Sequence, residues 1–266
     1  AVYTNVERYK PTIFYGVPTL YGQMLAHQPG GMAGVRMCVS AGEALPPDIY
    51  QRWRARFGLE IVDAIGSTEM AHCFISNVPG ECRPGCTGKI VPGYEARIVD
   101  ENFVEVPPGE VGTLLVKGDS AAAFYWNKHE KTKETMLGAW LNTGDKFFQD
   151  EEGNFFYAGR TDDMMKIGGI WVSPVEVEAA VIEHTAVLEC AVVPAEDGSE
   201  LIKPKAYVVL NAGETPGEDT AQSIKDHVKD VLAHYKYPRW VEFIDELPKT
   251  PTGKIKRFEL RKLNEH

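Results

Sequence analysis

The chain has 266 residues, 44% of them hydrophobic, enough to bury a substantial core and more than one average domain requires, so one large and one small domain are expected. With 38 acidic residues against 28 basic ones, the net charge of −10 gives no electrostatic reason for a nucleic acid or an anionic membrane as partner. No run approaches the roughly 18 consecutive apolar residues of a membrane helix, and the opening AVYTNVERYK lacks the apolar stretch of a signal peptide, so an enzyme of the cytoplasm is expected.

The first stretch alternates strand-like apolar runs with amphipathic helical ones. PTIFYGV, PTLYGQMLA, VRMCVSAG, PPDIYQRWRARFG and LEIVDAIGS read as β-α-β-α-β. Val35 to Val39 and Leu59 to Ile65 are nearly continuous in apolar character, the pattern of parallel strands covered by helices on both faces. Pro46 and Pro47 stand where a helix would begin. The chain reads as opening on a complete strand, which predicts that earlier strands of the sheet belong to a missing N-terminal portion of the same enzyme. From about Gly85 to Asp119, short strands with Gly and Pro turns predict a β-rich subdomain. NFFYAGR closes that body, and the polar TDD at 161–163 marks a boundary between a large domain over 1–161 and a small one over 162–266.

The small domain carries the strands ECAVVPA, KPKAYVVLN and RWVEFID and two helices. One opens on a capping box from Ser173 to Glu176 with Pro174 at its first position; the other lines up Ile224, Val228, Val231 and Leu232 on one apolar face. The fold class is therefore α/β: the C-terminal part of a larger parallel-sheet body with a β-rich subdomain, followed by a small α+β domain. The five cysteines, an odd number without paired spacing, are expected to be free thiols. His72, Cys73, Cys82 and Cys86 lack the second close cysteine pair of a zinc site.

Chemistry concentrates at Asp63-Ala-Ile-Gly-Ser-Thr-Glu69, where a buried strand runs into a small polar turn ending in a carboxylate. Ligand sites favour such strand ends. Gly66 allows a ligand to approach the backbone, Ser67 and Thr68 offer hydroxyls to phosphate oxygens, and Glu69 suits Mg²⁺, which prefers hard oxygen ligands. A plain helix N-terminus, with Glu69 beside the dipole, is the competing reading of this turn.

Three further segments follow: Asn142-Thr-Gly-Asp145, Tyr157-Ala-Gly-Arg160-Thr-Asp-Asp163 and Pro251-Thr-Gly-Lys254-Ile-Lys-Arg257. In order and approximate spacing the four resemble the superfamily of adenylate-forming enzymes, which includes acyl- and aryl-CoA ligases, carrier-protein adenylation domains and firefly luciferase. The resemblance spans essentially the whole chain. It implies ATP, CoA and Mg²⁺ as cofactors, with Ala41, Gly42 and Glu43 (after Ser40) and Asp63, Ala64 and Ile65 walling the adenine pocket and Gly66 and Ser67 continuing the nucleotide site. Thr68 would contact the α-phosphate, Glu69 the metal, Asp145 the ribose hydroxyls and Arg160 the ribose or phosphate; a simple Asp145–Arg160 pair is the plainer alternative. Asp162 matches the family hinge, and Lys166, Gly168, Gly169 and Trp171 the face presented to the CoA thiol. Lys254 matches the lysine that stabilises charge during adenylation.

The string Met70-Ala-His-Cys-Phe-Ile-Ser-Asn77 resembles benzoate-CoA ligases and their aryl relatives, which implies an aromatic carboxylic acid as substrate and a short pocket lined by His72, Cys73, Tyr15 and Gly16. For His72 alone, a satisfied core histidine is the plainer reading. The Ser/Thr/Gly-rich phosphate loop of the family has no counterpart here, again the expectation for a fragment. Transfer of the acyl group to a carrier protein, and a nucleotide-binding fragment without turnover, stay open as alternatives, and a second copy of the chain is a candidate partner in a homodimer.

Overall fold

A helix, α1 (Val2–Tyr9), precedes the first strand in the computed structural model, which describes residues 2–27, 30–197, 201–251 and 253–264. This corrects the expectation that the chain opens on a strand. Only Val6 of α1 is buried, so the helix leaves almost no apolar period to read.

Packing divides the chain into two units. One comprises Ala1–Gly16, Gly31–Leu45 and Trp53–Asp162; the other comprises Val17–Gly30, Pro46–Arg52 and Asp163–His266.

In the first unit, β1 (Ile13–Gly16), β2 (Met37–Ala41) and β3 (Ile61–Gly66) run parallel in that order, and β4 (Cys73–Ser76) and β5 (Lys89–Ile90) continue the sheet antiparallel. The chain between the parallel strands forms α2 (Pro18–Ala26) and α3 (Pro47–Phe57), each beginning on a proline, whose missing N–H costs nothing in a first helical turn. A second sheet is the β-rich part: β6 (Tyr94–Val99), β7 (Gly112–Gly118), β9 (Trp140–Gln149) and β10 (Phe155–Arg160) pair antiparallel in the order β10-β9-β7-β6. The helix α4 (His129–Thr135) leads into the short β8 (Met136–Leu137), which pairs with β9. Met70, Phe74 and Ile75 share a buried core with Ile98, Leu114, Val116 and Phe147, so the turn after β3 rests on both sheets.

The second unit has a hairpin of β11 (Met165–Ile167) and β12 (Ile170–Val172), then α5 (Pro174–Ile182), and a three-stranded sheet of β13 (Val187–Glu196), β14 (Ile202–Leu210) and β15 (Trp240–Phe243). The helices α6 (Glu218–Val231) and α7 (Arg257–Leu263) belong to it, as do α2 and the first part of α3. Alternation along β13 and β14 sends Cys190, Val192, Ala206 and Val208 into one core and Ala191, Val193, Tyr207 and Val209 into another. Both faces are buried, which explains the apolar run that follows Glu189 in ECAVVPA.

Two details differ from expectation. Ser173 does cap α5, its hydroxyl accepting from the Glu176 N–H at 3.1 Å, but the Glu176 carboxylate goes to Lys236 Nζ at 2.6 and 2.8 Å, so only half of the capping box forms. On α6, Ala221, Ile224 and Val228 are buried whereas Val231, at the last turn, is 48% exposed.

Candidate functional site

Parallel register sets Gly16 beside Ser40 and Ala41 beside Ala64, so Tyr15 and Gly16, the Ser40–Glu43 segment and the Asp63–Gly66 segment gather at the C-terminal ends of three neighbouring strands. Open parallel sheets place ligands there. Ser40 and Asp63 are partners in register, and side chains so related leave the sheet on one face. Ser40 Oγ and Asp63 Oδ1 are buried with no hydrogen-bond partner among the described residues. Buried polar atoms are rarely left so, and this pair suits a polar ligand. Burial holds the Asp63 carboxyl well above the ordinary aspartate range, against the opposing hydrogen bond from the Ala64 backbone. Gly42 has φ 94°, a left-handed conformation that glycine adopts without strain.

The segment after β3 is a closed turn, not a helix N-terminus. Ala71 N–H donates to Thr68 O at 3.2 Å, His72 N–H to Met70 O at 2.8 Å and Ser67 N–H to His72 O at 3.4 Å. A Cβ on Gly66 would lie 2.4 Å from the His72 carbonyl oxygen and 2.7 Å from Cys73 Cα. The returning β4 backbone thus requires a glycine here, a requirement separate from the ligand approach expected of it. Ala71 takes a positive φ of 64°, an uncommon choice for a residue with a Cβ.

Glu69 is half-buried in this turn. Its Oε1 accepts the Tyr125 hydroxyl at 2.5 Å, its backbone carbonyl accepts from Ala122 N–H at 2.7 Å, and the Tyr125 bond, above the opposing effect of burial, keeps its carboxyl below the ordinary range. A carboxylate held ionised fits a hard divalent cation. Thr68 and His72 are exposed, so the core-histidine reading of His72 does not hold; Tyr15 is 65% exposed, and Cys73 is half-buried with its thiol pushed up by burial and by Asp63.

On the second sheet Asp145 and Arg160 face each other in register. The guanidinium donates to Asp145 Oδ1 at 3.1 Å and to the Thr143 carbonyl at 2.9 Å, so the plain ion pair is present. Gly144, with φ 71°, lies under that side chain, where a Cβ would come within 2.9 Å of Arg160 Nη2. Asp162 is exposed.

In the second unit Gly168 and Gly169, at φ 57° and 86°, form the two-residue turn of the β11–β12 hairpin, and Lys166 Nζ sits 5.5 Å from the centroid of the Trp171 ring paired opposite it. Exposed Lys254 crowns a tight loop, although Thr252 of its motif lies outside the described residues. Thr250 N–H donates to Lys254 O at 2.8 Å and Lys254 N–H to Thr250 Oγ1 at 3.1 Å. Flanking ion pairs fix both ends: Lys249 with Glu189 at 2.6 Å, and Arg257, bound to both Glu178 oxygens.

The family model described as AMP-binding enzyme matches residues 1–126, and that of the AMP-binding enzyme C-terminal domain matches residues 176–254. A benzoate–CoA ligase of Thauera aromatica is 54% identical over 265 residues, 98% of this chain and 50% of that protein. The chain belongs to the adenylate-forming, AMP-binding enzyme family. A 4-hydroxybenzoate–CoA/benzoate–CoA ligase of Rhodopseudomonas palustris is 45% identical over 99% of this chain and 50% of its own length. Among solved structures, an anthranilate CoA ligase, AuaEII, in complex with anthranoyl-AMP superposes with a TM-score of 0.96 at 50% identity, covering 99% of this chain and 52% of that one. A benzoate CoA ligase from Burkholderia xenovorans LB400 gives 0.93 at 50% identity, over 98% and 53%. The chain spans about half the length of the relatives it matches.

Tyr125 escaped the sequence reading. The signal for it is faint: a tyrosine between two other aromatics, in the run Phe-Tyr-Trp-Asn just before a helix.

Proposed function

We propose that this chain is part of an AMP-forming aryl-CoA ligase that activates a benzoate-like aromatic acid with ATP and transfers it to CoA. The observation that carries the reading is the 0.96 superposition, at 50% identity, on an aryl-CoA ligase that holds its aryl-adenylate.

In the first half-reaction an oxygen of the acid attacks the α-phosphorus of ATP and the bond to pyrophosphate breaks, giving aryl-AMP. In the second the CoA sulfur attacks the acyl carbon and AMP departs with the electron pair. Negative charge crowds the phosphorus in the first step only, and the Thr68 hydroxyl and the Lys254 ammonium are assigned to stabilise it. Glu69 would hold Mg²⁺, which would supply further neutralisation of phosphate charge. Ser40 and Asp63, with Ala41 to Glu43 and Ala64 to Ser67, are assigned to the adenine side of the nucleotide, and Asp145 to the ribose hydroxyls. The Asp145–Arg160 pair supports that role, because a carboxylate held by a guanidinium keeps a defined orientation. Arg160 itself is assigned to the ribose or phosphate. Tyr15, Gly16, His72 and Cys73 are assigned to the ring, and Lys166, Gly168, Gly169 and Trp171 to the thiol step. A cytoplasmic setting accords with CoA and ATP as substrates.

The test is ATP/pyrophosphate exchange by the full-length protein over benzoate and its hydroxy, amino and fluoro derivatives. Exchange that depends on an aromatic acid, followed by thioester formation with free CoA, is the expected result. Exchange driven only by aliphatic acids would overturn the substrate class, and adenylation without transfer to CoA would overturn the acceptor.

A further inference from the structure

From 119 to 130 every residue is exposed except Tyr125. Its neighbours Phe124 and Trp126 are 59% and 78% exposed, whereas Tyr125 turns inward and places its hydroxyl on Glu69 Oε1 at 2.5 Å. The segment that carries it is stitched to the 67–72 turn at two other points: Ser120 Oγ donates to Met70 O at 2.7 Å, and Ala122 N–H to Glu69 O at 2.7 Å. On its far side Tyr125 N–H donates to Thr132 Oγ1 at 3.0 Å, and that hydroxyl donates to Lys128 O at 2.9 Å in the first turn of α4.

These contacts divide the work. The backbone bonds of the turn and of Ala122 fix the main chain of Glu69 and leave its side-chain torsions free. Only a partner on the carboxylate selects one rotamer. A phenol is suited to this task, since it donates a single hydrogen bond from the end of a rigid ring and brings no charge to compete with a cation.

We infer that Tyr125 is a positioning residue for Glu69, orienting the carboxylate toward the divalent cation that accompanies the nucleotide. The inference rests on the proposed role of Glu69. A phenylalanine would fill the same space and remove the foremost of the bonds that hold the carboxylate, leaving it those from Ser67 and its own N–H, so the loss would fall on metal binding before anything else. Groups that orient a metal ligand typically change metal affinity by about 10–100-fold when removed.

The experiment compares wild type, Tyr125→Phe and Glu69→Gln in the full-length protein. Mn²⁺ binding is followed by electron paramagnetic resonance in the presence of a non-reacting methylene analogue of ATP, AMP affinity by calorimetry without metal, and adenylation by pyrophosphate exchange against Mg²⁺ concentration. The expected result for Tyr125→Phe is a Mn²⁺ dissociation constant raised on the order of tenfold, a matching rise in the Mg²⁺ needed for exchange, and unaltered AMP affinity. If Glu69→Gln weakens Mn²⁺ and Tyr125→Phe does not, the positioning role is wrong while the metal assignment stands. A parallel loss of AMP affinity in Tyr125→Phe would also overturn it, since the tyrosine would then be supporting the whole pocket. If Glu69→Gln itself leaves Mn²⁺ binding intact, the metal assignment fails and the role of Tyr125 fails with it.

Discussion

A carboxyl group as enclosed as that of Asp63 gives up its proton less readily than in the unfolded chain, and that difference makes stability depend on pH. Because the folded pKa is raised, the contribution of Asp63 is fully present below the ordinary value of 3.8 and is lost as pH rises through the folded value. Asp63→Asn keeps the shape and removes the proton. Urea unfolding of the variant should therefore be less pH-dependent above the ordinary value, and at pH 8 the variant should be more stable than wild type; a wild-type advantage at pH 8 would show that the buried charge is compensated. At Lys254 the expected effect is on rate. Alanine there should slow adenylation by on the order of a hundredfold to a thousandfold, the usual effect of deleting one transition-state donor. Thioester formation from synthetic aryl-adenylate should persist, because no charge builds on phosphorus in that step. Equal losses in both half-reactions would remove Lys254 from this role.

Whole elements depend on single contacts of two kinds, and both are testable by denaturant midpoints at constant slope. Gly66→Ala forces a methyl against the His72 carbonyl, backbone on backbone, and should destabilise by about 1–3 kcal/mol by displacing the start of β4. Glu178, buried on α5, holds both the Arg257 guanidinium and the Val192 N–H at 2.8 Å, so it ties the Lys254 loop and α7 to β13. Glu178→Ala removes the carboxylate that a half-buried guanidinium and the Val192 N–H share and should cost about 1–3 kcal/mol, whereas removing the exposed partner of Lys117, Glu95, should leave the midpoint unchanged. The elements themselves were largely legible. Prolines at 18, 47 and 174 announce helix starts, and the nearly continuous apolar stretches within β2, β3, β13 and β14 announce strands buried on both faces. What was not legible is tertiary. α1 buries one residue and so carries no period; Gly66 is visible as a glycine, but the carbonyl that requires it comes from six residues later through the fold. Tyr125 shares its aromatic character with Phe124 and Trp126, and only the fold shows which of the three turns inward.

At the scale of the molecule, one stretch of backbone separates residues anchored in one unit from residues anchored in the other. Thr161 N–H donates to the Gly144 carbonyl at 2.9 Å, which fastens it to β9 in the first unit. Asp163 binds the Arg261 guanidinium of α7, which fastens it to the second. Asp162, exposed and between the two, is the residue proposed as the hinge. Hinges are commonly a few such positions at the ends of elements. The proposed two-step reaction would use such a hinge, because the lysine assigned to adenylation has no assigned task in the thiol step. Proline at 162 fixes φ near −65° and removes the N–H without touching either anchor. Asp162→Pro should therefore retain pyrophosphate exchange and lose thioester formation, measured as separate half-reactions in the full-length protein. Breaking the second anchor with Arg261→Ala, which loosens Asp163 but leaves Asp162 free to turn, should spare the ratio of the two rates. If Asp162→Pro lowers both half-reactions equally, or Arg261→Ala shifts their ratio as strongly, the turning point lies elsewhere in the chain.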